Sequence, residues 1–284
     1  MEAPAVELEL PVKHLSATSL GMFMRCPEQF RRRYVLREKE RPGAALVVGG
    51  AFHFANEVNF RQKIESKQDL PLDDVLSAFH AGFDEKIEEN GGVEEIQWDN
   101  NIKPDTLRSR GAELVKGYHT QVAPKIEPIT VEEEFNLEID EVPVPFNGYL
   151  DLVAQTWPTP QELAELDALV ISDMVRKHVI DYKTANKAQR TLKPEWLMQA
   201  RLYQLQTGYP VEYHVAVKTK DPLILTPIDA PDLRIEPSSS ALSLTTTLLQ
   251  RVSRQIAWHW AEFGPDQTWP GAITHPWACN FCGY

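Results

Sequence analysis

The spacing of apolar positions changes character once along the chain. Over residues 16–122 apolar side chains recur mainly at helical intervals, whereas beyond residue 129 they alternate or run together as in strands. Leu15 opens the stretch LSATSLGMFMRCPEQFRRRYV, where Ser16 or Thr18 is placed to cap a helix. Leu20, Phe23 and Met24, then Phe30 and Tyr34, follow rough helical spacing, interrupted at Pro27. Segment 44–59 holds a Gly-Gly pair followed by AFHFANEV, which reads as a helix start, and residues 71–90 and 105–122 predict two more helices.

Alternation begins with ITVEEEFNLEI, residues 129–139, a predicted strand. Residues 144–155 predict a second strand, and 178–184, HVIDYKT, a third and buried one. Residues 161–169 read as a short helix inside an insertion, and 194–206 as a helix with Pro194 suited to its first turn. Residues 211–218 and 223–228 read as strands and 238–263 as a long helix. This order predicts an α/β mixed sheet with helices packed on it. No internal repeat interrupts it. The expected division is a flexible tail, 1–14, and one domain, 15–284. Within that domain we expect a helical region (15–122), a sheet core with helices (123–263) and a C-terminal cysteine segment (264–284).

Composition sharpens this picture in three ways. With 284 residues, 43% apolar and 25% charged, the chain suits one large domain with a sizeable core. Its formal net charge of −12 counts against a general nucleic-acid binder. Binding depends on the local field in a cleft, however, and carboxylates that hold metals have their local sign reversed. No apolar run is long enough to span a membrane, and Met1–Val12 is acidic and proline-containing, unlike a secretory signal. The expectation is a soluble cytoplasmic protein without a membrane partner. Three cysteines, Cys26, Cys279 and Cys282, argue against a disulfide framework and leave metal ligation or reduced thiols.

The candidate chemistry lies in Val179-Ile180-Asp181-Tyr182-Lys183-Thr184. In a strand, residues two apart share a face, so Asp181 and Lys183 project together while Ile180 and Tyr182 point the other way. Upstream, Asp151 ends the apolar run Phe146-Asn147-Gly148-Tyr149-Leu150. A carboxylate in such a setting is costly unless compensated, and a divalent cation shared by Asp151 and Asp181 would compensate both. A lysine beside them is placed to act on water or on charge developing at phosphorus. The alternative is a plain Asp–Lys salt bridge at a strand end.

These residues and their order resemble the RecB-type branch of the PD-(D/E)xK nucleases, which includes AddB-like, CRISPR-adaptation and phage exonucleases. Gly148-Tyr149-Leu150-Asp151 resembles its G-x-x-D motif, and Asp181-Tyr182-Lys183 its D/E-x-K motif. Gln199-Ala200-Arg201-Leu202-Tyr203 is similar to its Q-x-x-x-Y helix, and Gly50-Ala51-Phe52-His53 to its upstream histidine motif. The resemblance implies a restriction-endonuclease-like fold, with a mixed central sheet flanked by helices and a helical N-terminal region. It implies a metal-dependent DNA nuclease, with exonuclease action on ends or single strands. The setting would be phage or bacterial recombination and repair, or CRISPR adaptation. It assigns Mg2+ or Mn2+ to Asp151, Asp181, His53 and the Tyr182 carbonyl, and catalysis to Lys183 with Asp151 and Asp181. Gln199 and Tyr203, four apart on one helical face, would position the DNA or the site.

Each residue also has an ordinary reading: His53 as a packing residue, Gln199 and Tyr203 as part of an amphipathic helix. Glu57, four residues after His53, and Glu134 in EEEF are further acids for the site, or solvated glutamates. Residues 157–172 lengthen the gap between Asp151 and Asp181 beyond the family's short hairpin. Cys279-Asn280-Phe281-Cys282 has spacing suited to zinc or an iron–sulfur cluster. The resemblance implies a structural 4Fe-4S cluster on Cys26, Cys279 and Cys282, with Zn2+ as the alternative. The sequence ends at Tyr284 without a fourth cysteine, so that ligand is open. Arg31, Arg32 and Arg33, with Arg37, Lys187, Arg190, Lys193 and Arg201, suit phosphate contacts or a solvated helix face. Trp258, Trp260, Trp269 and Trp277 suit base stacking or packing. The rival function is a non-catalytic DNA-binding or assembly subunit that keeps the nuclease fold.

Overall fold

A computed structural model describes residues 9–98, 102–156, 175–219 and 222–270. Residues 1–8 of the tail, the predicted insertion with its helix, Trp277, Cys279 and Cys282 lie outside the described residues. Ser16 caps α1 (Ala17–Arg25) reciprocally with Ser19, each side chain accepting from the other's amide at 3.1 and 2.8 Å. Helix α1 ends at Cys26, whose backbone is extended, and Pro27 opens α2 (Pro27–Phe30), which runs into a π turn over Arg31–Val35. Three longer helices follow: α3 (Ala44–Ser66), α4 (Leu72–Glu89) and α5 (Pro104–Gln121). The Gly-Gly pair, expected ahead of a helix, lies inside α3. Each glycine costs about 1 kcal/mol there relative to alanine. What they permit is close packing: a Cβ on Gly49 would stand 3.3 Å from Thr184 Oγ1, and one on Gly50 3.0 Å from Lys86 Cε.

The sheet has strands β1 (Glu127–Leu137), β2 (Phe146–Thr156), β3 (Arg176–Ala185), β4 (Val211–Val217) and β5 (Leu223–Leu225), in that order. A short β6 (Arg234–Ile235) also pairs with β4. Every pairing is antiparallel except β3–β4. That parallel pair needs a crossover, which α6 (Pro194–Thr207) supplies. The strand predicted to reach 228 stops at Leu225. There Pro227 has no amide to give a ladder, and the Asp229 carboxylate accepts from Thr226 N at 3.2 Å, making a turn. Helix α7 (Ser239–Phe263) completes the described elements.

The sheet divides two cores, and β3 and β4 alternate between them. Val179, Val215 and Val217 face a core with α1, α2, α6 and α7, through Leu20, Phe23, Phe30, Leu202, Leu249 and Ile256. Ile180, Tyr182 and Ala216 face a second core with α3, α4 and α5, through Phe52, Phe79, Leu114 and Tyr118. Truncating one such buried phenylalanine costs about 3–5 kcal/mol. Among the described residues no helix is long and apolar enough to cross a membrane.

Candidate active site

The β1–β2 hairpin changes faces midway. Val131 and its partner Leu152 pack with the α3–α5 core, whereas Phe135 and Leu150 pack with the other. Strict alternation would keep Val131 with Phe135, and Leu150 with Leu152. The exchange occurs at Glu132, which lies between the paired positions and opposite Asp151, with a left-handed φ of 50°. Such a φ costs a non-glycine residue about 1 kcal/mol.

Glu132, Asp151 and His53 of α3 each offer a ligand atom, all within 4.8 Å of one another. Asp151 Oδ2 lies 3.4 Å from His53 Nδ1 and accepts from the Tyr182 amide at 2.9 Å, just beyond the last β2–β3 pair, Leu152 with Ile180. His53 Nε2 lies 3.1 Å from the Tyr182 carbonyl oxygen. A proton on Nε2 donates to that carbonyl and turns the Nδ1 lone pair toward the two carboxylates, the tautomer that offers nitrogen to a cation. Without a positive charge among them, these donors repel. Burial first, then the charge of Asp151, pushes Glu132 up to about 7. A nitrogen and two carboxylates fit a divalent cation such as Mg2+ or Mn2+. The sequence offers Glu134 as a further acid, but Glu134 is exposed, and it is Glu132 that joins the site.

Asp181 stands outside this three-donor group. It is fully buried, and Lys183 Nζ ion-pairs with its Oδ1. Lys183 Nζ also donates to Gln199 Oε1 at 2.9 Å. Gln199 Nε2 in turn donates to the Tyr203 hydroxyl at 2.6 Å. That hydroxyl has Tyr149 O at 2.9 Å and Asp181 Oδ2 at 3.2 Å as acceptors. The structure therefore brings both motif residues of α6 onto the Asp181–Lys183 pair. Burial pushes Asp181 up to about 6; Lys183 opposes this and the Asp151 charge adds to it. Gly148 matters to this arrangement: a Cβ there would meet the Phe135 ring at 2.7 Å, and that ring packs edge-on to Tyr203 at 5.8 Å.

The other candidates separate. Arg31, expected among the phosphate contacts, is buried. Its Nε and Nη2 donate to Glu28 at 2.7 Å, and its Nη1 to the Pro265 carbonyl at 2.5 Å. Glu28 Oε2 also accepts from Trp269 N at 2.9 Å, and Trp269 is wholly buried, stacked on Phe30. Burial would raise Glu28, but Arg31, the Trp269 amide and Arg32 hold it below the usual carboxylate range. The guanidinium is thus a tie between α2 and the segment after α7. Arg32 pairs with Glu28 and Glu38, and Arg33 is exposed. Cys26 is partly buried at the α1–α2 junction. Glu57 pairs with Arg61 at 2.8 Å. Arg190 donates to Asp229 O, and Arg201 to Gln204 and Glu236 O. Trp258 is exposed, and Trp260 packs against the first core.

A crystal structure of a protein from Eubacterium rectale, named provisionally as an exonuclease, aligns with 98% of this chain and 92% of its own. The TM-score is 0.54 at 11% identity, which shows a shared fold. A second solved protein, SSO0001, aligns over 94% of this chain and 91% of its own, with a TM-score of 0.30 and 13% identity. No curated protein matches the chain. Residues 14–284 match the PD-(D/E)XK nuclease superfamily, a span that takes in His53, Asp151, Asp181, Lys183 and the helix bearing Gln199 and Tyr203, and the chain belongs to that superfamily.

Proposed function

We propose that this nuclease is a divalent-metal-dependent deoxyribonuclease acting as an exonuclease on ends or single strands. Phage or bacterial recombination and repair, or CRISPR adaptation, would be its setting. The observation that carries the reading is the meeting of His53, Glu132 and Asp151 beside the buried Asp181–Lys183 pair. His53, Glu132 and Asp151 would hold Mg2+ or Mn2+; the nitrogen donor suits Mn2+ in particular. Such a cation supplies positive charge to a phosphate and makes a nearby water more acidic. Asp181 and the Tyr182 carbonyl, which lies 3.1 Å from His53 Nε2, would add oxygen ligands. Asp181 also pairs with Lys183 and so holds that lysine at the site. Asp181 and Gln199 occupy two of the three N–H positions of the ammonium. The third is left for a phosphate oxygen or an attacking water, where a fixed cation stabilises the developing charge. Tyr203 and Gln199 keep that geometry from relaxing.

Cys26, with Cys279 and Cys282, would hold a structural 4Fe-4S cluster or Zn2+. What supports this is the seating of Trp269 against the helix that follows Cys26, which brings the end of the described chain to that cysteine's neighbourhood. The cluster would act by joining the two ends of the fold, since phosphodiester hydrolysis transfers no electrons. The deciding experiment uses 5′- and 3′-labelled single and double strands with Mg2+, Mn2+ or EDTA. Stepwise metal-dependent shortening from one end is expected. A folded protein that cuts nothing with either metal overturns the reading in favour of a non-catalytic DNA-binding subunit.

A further inference from the structure

Two clefts run along one side of α3. The first, of about 660 Å3, is lined by Arg41 and Trp98 near the start of the helix. The second, of about 710 Å3, is lined by Leu46, Gly50 and Lys86 and ends on His53 and Glu132. Both include Ala45, so together they follow the helix from its first turn to the metal cluster. From Gly43 to His53 that path is ~15 Å at the helical rise, the length of about four stacked nucleotides.

We propose that this groove is the track of a single-stranded nucleic acid, with Trp98 stacking a base and Arg41 and Lys86 holding phosphates ahead of the scissile one. The inference rests on the nuclease reading above and adds residues to its substrate site. The Trp98 ring is rigidly mounted: Nε1 donates to Val93 O at 2.8 Å, and Phe83 stacks on it at 6.4 Å. The Arg41 guanidinium donates to the Glu94 and Glu95 carbonyls, neutral acceptors that orient it without cancelling its charge. Because Gly50 has no Cβ, the Lys86 stem crosses α3 closely, and among the described residues its ammonium pairs with Glu89 alone, at 2.7 Å on the surface. Such an exposed pair is weak, and a phosphate can replace the carboxylate. Leu46, 52% exposed inside the groove, offers a sugar or base an apolar contact.

The same lining carries Glu57, Glu85, Glu89 and Glu132. Charge alone therefore does not retain a phosphate chain, and stacking has to supply the rest. Stacking on a protein ring requires an unpaired base, which favours a single strand over a duplex.

The test measures binding of fluorescent oligo-dT, blunt duplex and the mononucleotide pdT in Ca2+, over a salt series. Trp98→Ala should weaken oligo-dT at least fivefold. Arg41→Ala and Lys86→Ala should each lower the salt slope by about 0.7. Binding of pdT should be unchanged, and Trp98→Phe should retain most of the affinity. Leu46→Asp alters no core contact and should also weaken oligo-dT, which covers the case of a poorly folded Trp98→Ala. Wild-type binding in all variants, equal losses for blunt duplex, or a wild type that binds no single strand overturns the track. Normal Mg2+- or Mn2+-dependent cleavage alongside unaffected variants sinks the track alone. A wild type that binds through these residues yet cuts nothing sinks the nuclease reading and leaves the track standing.

Discussion

Glu132 lies opposite Asp151 across the β1–β2 ladder, at the point where both strands exchange the core they face. Its left-handed backbone is what separates its carboxylate from the solvent-facing run Glu133-Glu134 and gives it to His53 and Asp151. Backbone and carboxylate can be tested apart. Glu132→Gln should lower Mn2+ affinity by well over tenfold and abolish cleavage. Glu132→Gly should do the same while adding about 1 kcal/mol of stability, because glycine adopts this φ freely. Glu134→Gln should change neither. Calorimetric Mn2+ titration and thermal melting check this; normal metal affinity in Glu132→Gln removes the residue from the site.

A pH dependence follows from the same crowding. Burial, with the Asp151 charge, raises Glu132 to about 7, and burial raises Asp181 to about 6 against the pull of Lys183. Groups raised in this way stabilise the metal-free fold fully below their unfolded values of 4.5 and 3.8. That contribution is lost as pH rises through 6 and 7. In EDTA the Tm should therefore fall between about pH 5 and 8, and the Tm increase caused by Mn2+ should grow over that window as protons cease to compete. A metal-induced shift that is constant with pH would contradict this.

Lys183 has two separable duties. Lys183→Met should slow single-turnover cleavage by roughly a hundredfold or more. It should also lower Tm, because it leaves the buried Asp181 carboxylate without its ion-pair partner. Adding Asp181→Asn should restore much of the Tm and none of the cleavage. Tyr203→Phe removes the hydroxyl shared by Gln199 and Asp181 and should lower kcat about tenfold at unchanged KM. A double variant that regains activity with its Tm would reduce Lys183 to a structural partner.

Arg31 should behave as a tie and not as a DNA contact. Arg31→Ala leaves Glu28 facing a buried tryptophan without its bidentate partner and should cost about 3 kcal/mol. Arg31→Lys should recover little of it, since an ammonium cannot span Glu28 and the Pro265 carbonyl as a guanidinium does. The salt slope of DNA binding should stay at its wild-type value. A slope reduced by about 0.7 with unchanged melting would return Arg31 to the phosphate-contacting set.

What the chain states by itself is whatever depends on neighbours in sequence. Period-two spacing is enough to put Asp181 and Lys183 on one face, with Ile180 and Tyr182 on the other, and the structure arranges them so. Helical spacing likewise groups Gln199 with Tyr203, and the switch from helical to alternating pattern separates the α3–α5 region from the sheet. The rest is decided by contacts between distant segments. In EEEF period-two geometry puts Glu132 and Glu134 on one face, so nothing local distinguishes them; the face exchange that does so arises from packing two cores against one hairpin. A run of three arginines reads as surface, and only the arrival of Pro265 and Trp269 beside Glu28 makes Arg31 interior. The Gly49–Gly50 pair reads as a break, yet Thr184 and Lys86 press against it from other elements and give it a place inside α3. Local propensities of about 1 kcal/mol per residue give way there to tertiary contacts worth several, and the candidate site is built where they do.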